Sequence, residues 1–139
     1  MGYMCHHAII VTTSNQEGAK VAHEKDVEIF QAPFGPFSRT CPVSEILASP
    51  VNGYYTFLIP PDGSKEGWSD SDTGDERREQ FIAWLNSQRY EDNSSPYDWA
   101  EIQYGDGDRD NRMLRNNAQN EKQPFVIDAH AEQEQKLIS

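Results

Sequence analysis

The sequence contains little that announces chemistry. It has two cysteines in 139 residues, Cys5 and Cys41, too few and too widely separated for a disulfide framework. No apolar run approaches the roughly 18 residues that a membrane-spanning helix needs. No N-terminal stretch pairs a basic region with an apolar core of signal-peptide length. Together these absences predict a soluble, cytoplasmic protein with no membrane partner. Basic residues are also scarce, 12 against 23 acidic ones, for a formal net charge of −11. Up to Tyr104 there are 16 acidic and 7 basic residues, and after it 7 and 5, so most of the surplus lies in the first part. Such a surface repels phosphate backbones, which argues against a nucleic-acid partner and favours solubility or a basic protein partner. Internal repeats are absent. The length suits one domain, although an apolar content of 36% is lean.

Sites with recognisable chemistry are incomplete. Cys5, His6 and His7 offer thiolate and imidazole groups of the kind zinc takes, but their spacing matches no finger. Cys41 lies beside Arg39 in a proline-rich loop of an acidic chain, a poor setting for a low-pKa nucleophile. Asp106, Asp108 and Asp110 resemble the first half of an EF-hand loop. The glycine and glutamate that such a loop requires are Asn111 and Asn117 here, so a solvated turn is expected. Asn52–Phe57, NGYYTF, lacks the basic residue and the second aromatic of an RNA-recognition strand. Nothing points to a cofactor or a resident metal.

What is present is a pattern of strands and helices. Ser49–Trp68, SPVNGYYTFLIPPDGSKEGW, runs from a turn into a strand that is apolar on both faces and is stopped by Pro60-Pro61. Alternation sends Tyr55, Phe57 and Ile59 to one side and Tyr54, Thr56 and Leu58 to the other, as for a strand inside a sheet. His6–Thr13 is a second such strand. Gln16–Gln31 reads as a helix capped by Ser14 or Asn15, with Ala19, Ala22/His23, Val27 and Phe30 as its apolar stripe. Val43–Ala48 is a short strand. Asp75–Gln88 is a second helix, entered by a Thr73/Glu76 capping box and carrying Phe81, Ile82, Trp84 and Leu85. Asp98–Tyr104 is a half-polar strand that suits a sheet edge.

This order resembles the βαββαβ ferredoxin-like fold over residues 5–104: an α+β sandwich with a four-stranded antiparallel sheet and two helices on one face. The resemblance implies central first and third strands, which here are the doubly apolar ones. Residues 105–133 form a polar extension, in which 124–127 (PFVI) is a candidate added strand. Residues 134–139, EQKLIS, match the start of the myc epitope tag. The segments SPVNGYYTFLIPPDGS and GDERREQFIAWLNSQRYED resemble small uncharacterised proteins carried by bacterial mobile elements such as phages and gene cassettes. That likeness implies a bacterial accessory protein.

Three functional readings follow. The first is an interaction module that forms a homo-oligomer through the uncovered sheet face, with either Tyr55 and Phe57 or Tyr54 and Leu58 on that face. The second is an enzyme or sensor with a small-molecule pocket near Tyr54, Asp62, Trp68, His7 and His23. The third is an acidic inhibitor of a basic or nucleic-acid-binding protein, docking through Asp70, Asp72, Asp75, Glu76 and Glu79. The bland alternative for those carboxylates is favourable placement at a helix N-terminus.

Overall fold

Alternating apolar residues and two amphipathic segments produce a layered arrangement in the computed structural model, which describes residues 5–31, 43–64, 67–105 and 111–118. The elements are β1 (His6–Thr13), α1 (Gln16–Phe30), β2 (Leu47–Ala48), β3 (Tyr55–Ile59), α2 (Ser69–Ser87), β4 (Asp98–Tyr104) and β5 (Arg112–Asn116). All strand pairings are antiparallel, and the sheet order is β2-β3-β1-β4-β5. Among the described residues no helix is long and apolar enough to cross a membrane.

The α+β class is as predicted, but among the described residues the sheet has five strands rather than four. The extra strand lies at 112–116, inside the stretch read as a polar extension, and the 124–127 segment lies outside the described residues. β4 is therefore not an edge. Its polar residues misled the reading for a physical reason: Glu101, among the most buried residues of the chain, is charge-paired with Arg115 from β5 and Arg78 from α2.

Odd-numbered residues of the central strands face the helices. Ile9 and Val11 of β1, Phe57 and Ile59 of β3, and Trp99 of β4 join Ala22 and Phe30 of α1 and Phe81, Ile82 and Leu85 of α2 in one core cluster. Removing an aromatic ring from such a cluster costs about 3–5 kcal/mol. Tyr97 closes one end, its hydroxyl donating to the Gly18 carbonyl at 2.9 Å.

Helix α1 starts where the sequence places it. The Asn15 side chain accepts from the Gly18 N–H at 2.9 Å and so satisfies one of the free donors of the first turn. Its buried stripe differs from the predicted one, running Ala19, Ala22, Asp26, Phe30, while Val27 is exposed. The helix turns by one position and buries a carboxyl instead of a valine. Helix α2 begins at Ser69, six residues earlier than predicted, with Asp70 and Asp72 in the first turn. Thr73 therefore lies inside the helix, where its hydroxyl donates back to the Ser69 carbonyl at 3.1 Å, and no capping box forms there. β2 shrinks from six predicted residues to two, although Ser44 still donates its N–H to the Leu58 carbonyl at 3.0 Å.

Candidate interaction face

Because both helices pack on the odd-numbered side, the even-numbered side of the sheet carries neither of them. Register fixes which residues share a row across this face. Ile10 sits between Leu58 and Ala100, and Ala100 pairs with Asn116, giving a row Leu58–Ile10–Ala100–Asn116. The next row is Leu47–Thr56–Thr12–Asp98, and the row on the other side contains Ala8, Ile102 and Met113. Thr12 and Thr56 share a hydroxyl–hydroxyl hydrogen bond of 2.9 Å, which ties β1 to β3 on the exposed side.

The two halves of this face differ in relief. On the β2–β3 half large apolar side chains stand out, with Leu47 64%, Tyr54 43% and Leu58 37% exposed. On the β4–β5 half lies an open groove of about 450 Å³ lined by Ile10, Asp98, Ala100, Met113, Asn117 and Ala118, among others. Ala100, the smallest side chain of its row, lines this groove, and Leu58 stands exposed in the same row on the other side of Ile10. A bulge between Glu101 and Ile102 brings Met113 opposite Ile102 and returns the chain to register at Arg115. Of the described strand residues on this face, one is a carboxylate, Asp98, and one an imidazole, His6, whose ring lies 5.3 Å from that of Tyr104.

The helix-covered side holds the ion pairs. Arg78, 5% exposed, reaches Asp62 at 3.3 Å, Asp75 at 2.5 Å and Glu101 at 3.7 Å. Arg115 continues the chain of charges to Glu101 at 2.7 Å and Glu79 at 2.6 Å. This network fastens the loop after β3 to α2, β4 and β5. Asp26, fully buried, has neither carboxyl oxygen in a hydrogen bond, and burial pushes its carboxyl up to about 8. A buried carboxyl in such a position is protonated near neutral pH.

The structure disperses the candidate small-molecule residues. Asp62 faces Arg78 and accepts from Ser64. His23 bonds through Nε2 with the Ser44 carbonyl at 2.9 Å and meets Phe57 edge to face at 5.3 Å. His7 pairs across the sheet with Gln103, Trp68 is exposed at the entry to α2, and Tyr54 belongs to the opposite sheet face. These five do not converge on one pocket. Cys5 is buried, and no group of three or more metal-ligating side chains occurs among the described residues. Cys41 and the 106–110 aspartates lie outside them.

The interaction residues divide. Phe57 is a core residue and Tyr55 shares its side, so the expectation that these two stand on an open face is not met; Leu58 lies on the side that neither helix packs, and Tyr54 is exposed just before β3. In the acidic group, Asp72, Asp75, Glu76 and Glu79 are exposed and Asp70 is half-buried, but Asp75 and Glu79 are already paired with Arg78 and Arg115. Sequence reasoning missed Ile10, Ala100, Met113 and Leu47 as face residues. The signal for Ile10 was present in the pattern His6–Thr13, where it falls opposite Ile9 and Val11.

Comparison with protein-family models, curated proteins and solved structures returned no match to this chain.

Proposed function

We propose that this chain is a protein–protein interaction module that associates with a second copy of itself through the uncovered sheet face. The observation that carries this reading is a contrast. A chain of net charge −11 keeps one five-stranded face almost free of carboxylates and leaves Leu47, Tyr54, Leu58 and Ile10 exposed on it. A contiguous apolar patch of this kind is a feature of association surfaces, and solubility alone gives no reason for it. Two like-charged copies can meet only where charge is sparse. The groove supports the same reading, since its lining is largely apolar and it is open, unlike a pocket with convergent polar groups.

The fold supports it by analogy. The order of the first four strands, with two helices on one side, fits a ferredoxin-like unit extended by β5 beyond β4. In this reading the resemblance to bacterial mobile-element proteins makes the module a cytoplasmic accessory protein. The test is light scattering on a sizing column. The wild-type chain of 15.8 kDa is expected to elute at twice that mass, and Leu58→Asp as a monomer with unchanged circular dichroism. A wild type that stays monomeric up to about 1 mM, a concentration that captures even contacts of about 4 kcal/mol, refutes the proposal.

A further inference from the structure

Resting on that reading, we infer that the two copies interlock ridge into groove, about a twofold axis that lies between the sheets and runs along β1. β1 is the middle strand of five, so rotation about such an axis exchanges β3 with β4 and β2 with β5 while keeping each residue at its height along the strands. Leu58 and Ala100 occupy the same row on either side of Ile10. The rotation therefore lays Leu58 of each copy over Ala100 of the other, a large exposed side chain over the smallest of the row. Leu47, one row along, comes over the end of β5, where Asn117 and Ala118 line the groove. Ile10 meets Ile10 at the axis. Both ridges and both grooves are used, as an isologous interface requires.

Charge is compatible with this axis. Asp98 shares a row with Thr12 and Thr56, so the rotation places each Asp98 over a threonine hydroxyl. The two carboxylates then stand about 10 Å apart, two strand spacings. A twofold axis across the strands would instead set β4 against β4 and ridge against ridge, leaving both grooves unfilled. Five strands at about 4.8 Å spacing and lengths of up to eight residues give a footprint of roughly 500 Å² per copy. The total of about 1,000 Å² is the lower bound for a specific interface, so filling the grooves matters.

Facing sheets lie about 10 Å apart, beyond disulfide reach, so the test uses single cysteines and a short bis-maleimide. In a Cys41→Ser background, with Cys5 buried, Leu58→Cys and Ala100→Cys proteins are crosslinked separately and mixed. The mixture is expected to yield the Leu58→Cys/Ala100→Cys heterodimer well above either self-crosslink. Ala100→Trp, which fills the hollow, is expected to weaken association by about tenfold or more. Its melting temperature serves as the folding control, and the crosslinking pair decides if that variant unfolds. A persisting dimer in which Leu58→Cys crosslinks mainly to itself, or one that folded Ala100→Trp leaves intact, overturns the interlock but keeps self-association. A monomeric wild type overturns both.

Discussion

Asp26 gives the sharpest test of the packing described here. Both of its oxygens are buried without a hydrogen-bond partner, and desolvation raises its carboxyl from 3.8 to about 8. In the unfolded chain the same group ionises near its ordinary value. Below pH 4 both states hold the proton, and stability is at its full value with respect to this residue. Between about 4 and 8 the unfolded chain loses the proton while the folded one keeps it, so each pH unit costs about 1.4 kcal/mol. Above about 8 both are ionised and the loss is complete. From pH 4 to pH 7 the loss is about 4 kcal/mol, large against a total of about 5–15 kcal/mol. Asp26→Leu removes the titration and supplies an apolar side chain to the same site. Asp26→Asn removes the titration and keeps the unpaired polar group. Urea unfolding of all three proteins at pH 4.5, 6, 7 and 8 measures the effect, and the difference from wild type cancels the other carboxylates. The expected result is a gain for Asp26→Leu that grows by several kcal/mol from pH 4.5 to 8, with a similar pH trend for Asp26→Asn from a lower start. Parallel stability–pH curves for wild type and Asp26→Leu would refute the buried-carboxyl argument.

Two further outcomes follow from the charges. Arg78→Ala strands Asp62 and weakens the neutralisation of buried Glu101, so thermal or urea unfolding should show a loss of about 3–5 kcal/mol, with Arg78→Lys recovering only part because one ammonium cannot serve three carboxylates; a loss below 1 kcal/mol for Arg78→Ala would sink the network's structural role. For self-association, raising salt from about 20 to 300 mM screens the repulsion between two chains of −11 and should tighten the dimer, measured by sedimentation, whereas weakening would mean that opposite charges hold it.

The parts of the fold legible in the sequence were those set by local periodicity. The β-branched run of β1, the alternation of β3 and the Asn15 cap announce themselves through spacing and side-chain chemistry. The misses have a common cause, which is that polar groups satisfied by distant partners look exposed in one dimension. Glu101 made β4 resemble an edge because Arg115 lies 14 residues away and Arg78 23 residues earlier. Asp26 lost to Val27 in the predicted helix stripe because valine is the better core residue by composition. The start of α2 at Ser69 was hidden by a Ser/Asp-rich stretch that reads equally well as a loop. Which side of β3 the helices cover was open for the same reason, since both sides carry aromatics.

The candidate face was legible only as a set of residues, because its relief depends on register. Leu58 and Ala100 are 42 positions apart and become counterparts only because both pair opposite Ile10. A shift of one residue in either pairing would turn Leu58 or Ala100 toward the helices. The acidity and the apolar face then make sense together. On the proposed self-association, the unpaired carboxylates away from this face would keep copies apart except where charge is sparse, while Asp75 and Glu79 are already paired to Arg78 and Arg115. A protein with its acidic residues spread evenly would repel a second copy from every direction. In the proposed dimer, repulsion would select the orientation of approach, and Leu58 and Ala100 on either side of Ile10 would select the axis.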